Sequence, residues 1–527
     1  MFLGIVLVLV VVALAGQWLA VTPPALTHNA ALESATCARM LAEGNGFRTN
    51  AVYPLAIGLG LGTDSQPLLS QGPFFPALLS AYFSVRGEGD LAVRLCSMLA
   101  LFVCLGGIIT LGTRLAGLAV GVIAGLVLVC NPTMVELAIS GTPYIWAAAW
   151  FVWALAFATW LPGRTSGDEA ATAPPRTSPW SWLLAALTGL CMGLCYLSEP
   201  ASLALILVLT WVVWRQAAEG CVRGQVAAFL FCFLVCAMPW WVHNTVAARN
   251  PLFSLNRYAA FFNSWLYPGT TVLNGTIDPG SPYLFIIGHP SYALSVVARN
   301  LTGAFSGIPM LLGGLLLPLA VAGFVVPPRT DSERVVRRSV AVGLLLLAIW
   351  TFTVPFAANT YLALLPAVAL IGTLQLFRFL SEQPRWARGL AWCVVALICI
   401  APTGARRLSQ TAPGPSALKA SLEEIAANLP ADVVLLTDVP GEVAWYGKHT
   451  GIALPASEAD MEKVMKALEG RPVGMFFTPA VLLAGPRPEL NPYQRILLAK
   501  ELPEGLTEIR LKAPGGRLFA FGERKSP

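Results

Sequence analysis

Long apolar runs separated by short polar segments dominate the chain as far as residue 403. A transmembrane helix needs roughly 20 apolar residues to cross about 30 Å of hydrocarbon. Runs near this length predict about eleven membrane-spanning helices. They lie at 1–20, 91–112, 116–131, 144–161, 180–197, 201–214, 225–242, 306–326, 339–356, 360–377 and 388–403. Residues 1–403 are therefore predicted to form a polytopic α-helical membrane domain.

The first apolar run has two interpretations. Ala13-Leu14-Ala15 resembles a signal-peptide cleavage site. However, no Lys or Arg precedes the run, and the run is long for the apolar core of a signal peptide. We favour a retained transmembrane helix over a cleaved signal.

Two long segments, 21–90 and 243–305, interrupt the apolar runs. In the first, helical periodicity over 31–43 predicts an amphipathic helix that ends at Gly44-Asn45-Gly46. A second apolar segment, starting at Pro73, is predicted to lie at or enter the membrane interface. The second long segment is rich in aromatic residues, which favour an interfacial belt over a sugar- or lipid-binding surface. They are Tyr258, Phe261, Phe262, Trp265, Tyr267, Tyr283 and Tyr292.

The last part of the chain has a different character. Every lysine lies at Lys419 or later, after a polar, proline-containing linker at 404–418. Residues 419–527 alternate strand and helix signals, which predicts a small soluble α/β domain. The predicted elements are a helix opened by a capping box at Ser421–Glu424, a strand at 432–437, a helix at 458–469 capped by Ser457, a strand at 473–477, and a hairpin of 508–512 with 517–521. Asp438, Trp445 and Tyr446 follow the first strand, where a surface loop is favoured over a substrate contact.

Composition supports the membrane assignment. The chain is 56% hydrophobic and 12% charged, against roughly 25% charged residues in a soluble domain. No basic stripe interleaves with aromatics, so nucleic-acid binding is not indicated. Most of the eleven cysteines lie inside apolar runs without zinc-ligand spacing, which favours small buried side chains over metal ligands or disulfides.

Arginine sets the predicted orientation. With Met1 in the cytoplasm, the short outside loops at 132–143, 198–200 and 357–359 carry no Lys or Arg, as the positive-inside rule requires. The inside loops carry Arg114, Arg164, Arg176, Arg215, Arg223, Arg329, Arg334, Arg337, Arg338, Arg378, Arg385 and Arg388. Both long segments and the C-terminal domain are then predicted to lie outside.

Several stretches, in order along residues 1–255, resemble the GT-C class of membrane glycosyltransferases, and within it the protein-mannosyltransferase and Rgt-like branches. They are Ala35–Phe47 (ATCARMLAEGNGF), Pro73–Leu79 (PFFPALL), Asp90–Ser97 (DLAVRLCS), Leu190–Pro200 (LCMGLCYLSEP) and Pro239–Phe253 (PWWVHNTVAARNPLF). The resemblance implies transfer of a sugar from a polyprenyl-phosphate carrier on the outer face of the membrane.

The family's catalytic acid is expected near the start of the first outside helix, where this chain has His28, Asn29, Ala30 and Ala31. A hydroxyl acceptor must lose a proton as it attacks the anomeric carbon, so a nearby carboxylate is the expected base. Glu33, about one turn further on, is the candidate, with a solvated residue near the helix N-terminus as the alternative. Asn29 and Arg39, on the same helix, are expected to contact substrate.

The other candidates follow from the same resemblance. Glu136 is the one acid in its outside loop and is a second catalytic candidate. Glu199 replaces a basic residue of the family in a tight turn between apolar helices, where a charge indicates function. Arg249 and Arg257 are candidate ligands of the carrier phosphate, and His289 is a further substrate-binding candidate.

The leading hypothesis is sugar transfer from a polyprenyl-phosphate donor to a glycan, lipid or protein acceptor, in a bacterial inner membrane. No definite cofactor is indicated, and a divalent metal ion stays open. The alternatives are a catalytically inactive GT-C-like protein that binds glycolipid or acts as a scaffold, and a secondary transporter. The transporter is less favoured because the spans hold almost no ionisable residues and no repeated halves.

Overall fold

The computed structural model describes residues 25–161, 179–217, 220–353, 358–386, 389, 416–483, 491–499 and 505–521. The predicted first span, most of the last span and most of the linker lie outside these residues. The described chain divides into two compact units. We call them the helical unit, from parts of 94–243 and 295–389, and the α/β unit, from parts of 25–93, 244–294 and 416–521.

Helices and strands are numbered here in chain order. The helices are α1 (Asn29–Ala42), α2 (Pro54–Gly58), α3 (Phe74–Arg86), α4 (Asp90–Ala116), α5 (Leu118–Val129), α6 (Pro132–Ser140), α7 (Tyr144–Thr159), α8 (Pro179–Ser198), α9 (Leu205–Gln216), α10 (Val222–Ala248), α11 (Pro282–Gly288), α12 (Pro290–Val325), α13 (Asp331–Thr353), α14 (Leu365–Ser381), α15 (Ala417–Asn428), α16 (Pro440–Trp445), α17 (Glu458–Ala467), α18 (Ala480–Leu483) and α19 (Asn491–Leu498). The strands are β1 (Arg48–Thr49), β2 (Ala51–Val52), β3 (Gln66–Pro67), β4 (Val434–Thr437), β5 (Thr450–Ala453), β6 (Val473–Phe477), β7 (Leu506–Ile509) and β8 (Arg517–Phe521).

Several helices of the described chain have the length and apolar composition of membrane spans. Four qualify, namely α4, α8, α10 and the segment Tyr361–Ser381, and a fifth arises if the bent pair α5 and α6 forms one span. Shorter apolar helices occupy Tyr144–Thr159 and Pro200–Gln216, where the hydropathy pattern also predicts spans. The total of about eleven spans stays a prediction, because the first predicted span and most of the last lie outside the described residues.

Small residues allow helices of the helical unit to approach closely. A Cβ atom on Gly189 of α8 would lie 2.1 Å from the backbone oxygen of Phe229, and one on Gly193 would lie 2.5 Å from the Cβ of Cys236. Because lipid tails are as apolar as leucine, such close contacts supply much of the helix association in membranes. Cys191 and Cys195 are free and buried in the same region, which confirms their interpretation as small core residues.

A cluster of charged groups connects the first turns of α13 to α14. Glu333, whose side chain is 3% exposed, pairs with Arg337 of the same helix and with Arg378 of α14. Its carboxylate also accepts a hydrogen bond from the backbone nitrogen of Arg329, 2.9 Å away. One carboxylate therefore pairs with two guanidinium groups and accepts a hydrogen bond from the backbone just before α13. Without its charge, neither arginine would keep this ion pair.

A six-stranded sheet organises the α/β unit. Its strand order is β2-β5-β4-β6-β8-β7, with parallel pairs from β2 to β6 and antiparallel pairs at β6-β8 and β7-β8. Val434, Leu436, Ile452 and Phe477 line its main core with Val52. The predicted strand at 473–477 and the helix capped by Ser457 are confirmed, while β4 starts two residues later than predicted and β7 two residues earlier.

The predicted capping box is wrong. Helix α15 begins at Ala417, and its cap is Ser416, whose hydroxyl accepts a hydrogen bond from Lys419. Ser421 lies inside the helix and bonds to the loop before β8, donating to the Ala513 carbonyl and accepting from the Gly515 nitrogen. Ser421 and Glu424 therefore bind the loop before β8 and do not cap the helix.

One strand of the sheet comes from a distant part of the sequence. β2, from the first long segment, pairs in parallel with β5 in the register Ala51 with Gly451 and Val52 with Ile452. The sequence treats residues 419–527 as a separate domain, whereas the sheet also includes this strand. Two residues are too short to produce a periodic hydrophobic signal, so the pairing has no trace in the local pattern.

We predict that Glu333→Gln lowers the free energy of unfolding in detergent by about 3 kcal/mol, because it leaves the buried guanidinium of Arg337 and the half-buried guanidinium of Arg378 without their carboxylate. Asp331→Asn is the matched control. It removes the exposed pair between Asp331 and Arg334, and we expect it to cost less than about 1 kcal/mol. Equal losses for the two variants would contradict this account of the cluster.

Candidate functional site

Glu33 is the centre of the candidate site. Its side chain lies on α1 and is buried, with 6% of the residue exposed. Oε1 accepts a hydrogen bond from the Tyr53 hydroxyl at 2.9 Å, and Oε2 accepts one from the Ser70 hydroxyl at 2.6 Å and one from the Gln71 amide at 3.1 Å. All three donors are uncharged, so the carboxylate keeps its orientation through directed hydrogen bonds rather than through a paired cation.

Two short strands, β2 and β3, bring these donors to α1. The helix α1 begins at Asn29, and the ring of His28 accepts a hydrogen bond from the Ala30 nitrogen. All residues from Ala30 to Ala38 are buried, and Glu33 lies within this stretch. Tyr53 follows β2 directly, and its backbone nitrogen donates to the side chain of Gln66 on β3 at 3.2 Å. The chain leaving β3 then supplies Ser70 and Gln71.

The second long segment adds an outer layer to this site. The backbone nitrogen of Leu255 donates to the Leu69 carbonyl at 3.0 Å, and the side chain of Asn256 donates to the Ser70 carbonyl at 2.7 Å. Ser70 is half-buried and Asn256 is exposed. The hydrogen-bond network around Glu33 therefore runs from the core to the surface through Ser70.

The charge of Glu33 affects the ionisable groups around it. Together with burial and a smaller effect of Glu442, it raises the pKa of Tyr53 well above the ordinary tyrosine value. Burial, and secondarily the charge of Glu33, raises the pKa of Cys37 one turn further along α1. Tyr53 and Cys37 therefore stay protonated at neutral pH, and Tyr53 remains a hydrogen-bond donor to the carboxylate.

The other predicted residues of α1 have different surroundings. Asn29 is exposed at the first position of the helix. Arg39 lies over the ring of Trp445 at 4.4 Å, donates to the Trp445 carbonyl at 2.9 Å and pairs with Glu88 at 2.8 Å. The guanidinium of Arg39 thus contacts protein groups of the C-terminal segment. Its role as a substrate ligand stays a prediction.

The interpretation of Trp445 and Tyr446 as surface-loop residues is wrong. Trp445 ends α16, Tyr446 follows it, and both are buried, at 5% and 7% exposure. Trp445 Nε1 donates to one oxygen of Asp90 at 2.8 Å, and the Tyr446 hydroxyl donates to the other at 3.1 Å. Both aromatic side chains therefore bind the residue with which α4 begins.

The predicted phosphate ligands lie on the second long segment. Arg249 is exposed and has a positive φ of 56° directly after α10. Arg257 lies beside the rings of Phe253 and Tyr258, at 5.6 and 5.3 Å, one residue from Asn256. Arg257 therefore directly follows Asn256, whose side chain contacts Ser70.

His289 belongs to an aromatic cluster on the same segment. Its ring lies 4.8 Å from the rings of both Trp265 and Phe285, and its Nδ1 is 2.8 Å from the Phe285 carbonyl. This packing fixes the ring.

Two predicted residues belong to the helical unit. Glu136 is exposed on α6. Glu199 precedes the short 3-10 helix Pro200–Ala204 and accepts a hydrogen bond from the Ala201 nitrogen at 3.3 Å. Burial raises the pKa of Glu199 to about 7. Glu33 belongs to the α/β unit.

Sequence reasoning did not find Tyr53, Ser70 or Gln71, the three donors to Glu33. No motif carries them, and each is a common residue in an irregular segment. Within the described residues, no group of three or more His, Cys, Asp or Glu side chains is arranged to hold a metal ion. The described part of the site therefore offers hydrogen-bonding and acid-base groups.

Comparison with known proteins identifies the fold. No protein-family model matches the chain, and no curated protein matches it. ArnT from Cupriavidus metallidurans, solved bound to undecaprenyl phosphate, is similar with a TM-score of 0.60 at 13% identity, covering 99% of each chain. An oligosaccharyltransferase from Archaeoglobus fulgidus, solved with zinc and sulfate, gives 0.55 at 14% identity, covering 94% of this chain and 69% of that one.

The archaeal oligosaccharyltransferase AglB from Archaeoglobus fulgidus, solved in complex with an inhibitory peptide and a dolichol-phosphate, gives a TM-score of 0.51 at 14% identity, covering 94% of this chain and 70% of that one. The chain therefore has the fold of the GT-C membrane glycosyltransferases, as its sequence resemblance implies. With its apolar helices, it is an integral membrane protein. These similarities do not single out the protein-mannosyltransferase or Rgt-like branches.

The α/β unit also contains a testable contact between the second long segment and α17. The backbone nitrogen and hydroxyl of Thr276 both donate to Asp460, at 2.8 and 2.7 Å. Burial alone would raise the pKa of Asp460, but hydrogen bonds from Ser457 and Thr276 outweigh it and hold this pKa below its ordinary value. The contact therefore contributes stability above about pH 4, the ordinary aspartate value, and loses it only as the pH falls below that range.

We predict that Asp460→Ala accelerates amide hydrogen exchange at 274–278 by about tenfold or more, since a hydrogen bond to a charged group contributes about 1.5–3 kcal/mol. Glu462→Ala, an exposed change on the same helix, should leave this exchange unchanged. Exchange mass spectrometry measures both variants. Unaltered exchange in Asp460→Ala would show that other contacts hold the segment.

Proposed function

We propose that this protein transfers a sugar from a polyprenyl-phosphate donor to a glycan, lipid or protein acceptor on the outer face of a bacterial inner membrane. The observation that carries the proposal is the similarity over 99% of both chains to ArnT bound to undecaprenyl phosphate. The proposed topology places the N-terminus in the cytoplasm and the C-terminal segment outside. This topology rests on the distribution of arginine.

In the proposed reaction, Glu33 is the general base. The acceptor oxygen attacks the anomeric carbon, the bond from that carbon to the phosphate oxygen breaks, and the acceptor proton moves to Glu33. A carboxylate has about four lone-pair directions, and the three hydrogen bonds of Glu33 leave one for an acceptor hydroxyl. Attack from the side opposite the phosphate would invert the anomeric centre.

The carrier leaves as a phosphate, which is stable without a proton. No strong general acid is then needed, and cationic groups that bind the phosphate stabilise the charge that develops on it. We assign this role to Arg257, with Arg249 as the second candidate, because a guanidinium matches phosphate oxygens with two parallel hydrogen bonds. The position of Arg257 next to Asn256, which contacts Ser70, supports the choice.

The remaining candidates are assigned to the acceptor and the carrier. We propose that Asn29, exposed at the start of α1, and His289, within the aromatic cluster, contact substrate. Glu136 is kept as a second catalytic candidate. Glu199, whose pKa of about 7 lets it exist in both protonation states at neutral pH, can donate or accept a hydrogen bond to a sugar hydroxyl.

Glu33→Gln tests the catalytic assignment. We expect it to reduce the release of undecaprenyl phosphate from undecaprenyl-phosphoryl hexose or pentose by about 10²- to 10⁴-fold, because the amide cannot accept the proton. The assay uses the full-length protein in proteoliposomes that contain an envelope lipid extract as acceptor. Glu43→Gln, an exposed change just after the same helix, is the matched control and should keep full activity.

Two results would overturn parts of this proposal. Release that is unaffected by Glu33→Gln would remove the base assignment and turn attention to Glu136→Gln. Absence of release by the unaltered protein with every sugar tried, while it still binds the carrier, would favour the inactive glycolipid-binding alternative.

Carrier binding gives a separate prediction. Undecaprenyl phosphate should raise the thermal unfolding midpoint of the detergent-solubilised protein, and undecaprenol, which lacks the phosphate, should raise it much less. Arg257→Ala should weaken binding of the carrier by about tenfold or more, since a charge-assisted contact is worth about 1.5–3 kcal/mol. Arg510→Ala, an exposed arginine of the C-terminal segment, is the control. Equal stabilisation by the two lipids would show that the phosphate is not recognised.

A further inference from the structure

The C-terminal segment, residues 416–521, helps to place the Tyr53 hydroxyl beside Glu33. Tyr53 follows β2, whose neighbour in the sheet is β5 of the C-terminal segment. The backbone nitrogen of Gly451 donates to the Asn50 carbonyl at 2.9 Å. Val52 is fully buried in the core of the sheet. The residue before Tyr53 is therefore fixed by packing as well as by strand pairing.

The other side of Tyr53 is fixed as well. Its backbone nitrogen donates to the Gln66 side chain, and its hydroxyl donates to Glu33. Without β5, the two residues of β2 would have no parallel partner, and a pair of residues does not form a stable strand alone. The position of the Tyr53 hydroxyl thus depends on a strand that lies about 400 residues further along the chain.

The same C-terminal segment also contacts α1 on either side of Glu33. A Cβ atom on Gly441 of α16 would lie 3.3 Å from the Cβ of Leu32, the residue before Glu33. Two turns further along α1, Arg39 donates to the Trp445 carbonyl and lies over the Trp445 ring. The two ends of α16 therefore contact α1 at Leu32 and Arg39, on either side of the Glu33 carboxylate.

We propose that Tyr53 is a positioning residue for Glu33, and that the C-terminal segment, through β2 and α16, sets the geometry of this proposed base. The inference rests on the proposed function. It gives the C-terminal segment a part in catalysis that does not require contact with substrate. Tyr53 donates to the carboxylate oxygen that does not bind Ser70, so the two hydrogen bonds together fix the rotation of the carboxylate.

The ionisable groups around this pair keep Tyr53 a hydrogen-bond donor. Glu442 of α16 acts on Tyr53, and the charges of both Glu33 and Glu442 raise the pKa of the tyrosine and keep it protonated. Removing the Tyr53 hydroxyl should therefore act on the orientation of the carboxylate.

Tyr53→Phe tests the proposal through the separate effects on kcat and KM. Loss of the hydrogen bond that orients the carboxylate should lower kcat by about tenfold or more, since a hydrogen bond to a charged group contributes about 1.5–3 kcal/mol. The readout is release of undecaprenyl phosphate, as in the assay above. The donor KM should change less than about twofold, because Tyr53 is assigned no contact with the donor.

Tyr493→Phe is the matched control. It removes a buried tyrosine hydrogen bond of similar length, 2.8 Å to the Pro455 carbonyl, in the same unit but away from Glu33. It should lower thermal stability about as much as Tyr53→Phe and leave kcat and KM unchanged. A kcat of Tyr53→Phe equal to that of the unaltered protein would overturn the inference, whereas absence of release by the unaltered protein would overturn the proposed function instead.

A glycine pair tests the contribution of α16. Gly441→Ala places a methyl group against Leu32 of α1, and Gly474→Ala places one against Leu435, at 3.0 Å, inside the sheet. We expect the first to lower kcat by about three- to tenfold, since small displacements of a catalytic group are costly, and the second to leave kcat unchanged. Equal kcat values in two folded variants would show that α16 does not position α1.

Discussion

The α/β unit depends on one buried carboxylate, Glu33, whose hydrogen-bond donors among the described residues are all uncharged. Removing a carboxylate from water is costly unless hydrogen bonds replace its hydration. Around Glu33 the replacements come from Tyr53, Ser70 and Gln71, which lie in two different parts of the first long segment. Tyr53 follows a strand of the sheet, and Ser70 is held by the second long segment. Solvating one side chain thus requires that all three parts of the unit be assembled.

The sequence predicts much of the fold because the membrane imposes strong local rules. Apolar runs mark α4, α8 and α10, and the pattern from Ala31 to Glu43 locates α1 to within two residues. Ser457 and the apolar strand at 473–477 are also local signals, and they predict their elements well. In each case a single stretch of chain carries the whole pattern.

The prediction fails where side chains serve distant partners. Ser421 and Glu424 have the spacing of a capping box, but they bind the loop before β8. Trp445 and Tyr446 follow a strand, as loop residues often do, yet both bind Asp90. The family resemblance predicts Glu33. It does not predict the donors Tyr53, Ser70 and Gln71, because a tyrosine, a serine and a glutamine in irregular segments form no recognisable sequence pattern.

The pairing of β2 with β5 has a consequence for the order in which the protein is made. Ala51 leaves the ribosome about 400 residues before its partner Gly451, an interval of roughly 20 to 80 s at 5–20 residues per second. During that time the two residues of β2 have no parallel partner, and so short a segment offers little edge for another chain to join. A chain that ends before Gly451 lacks the strand beside β2, so the hydrogen-bond environment of Glu33 can be completed only when synthesis is almost finished.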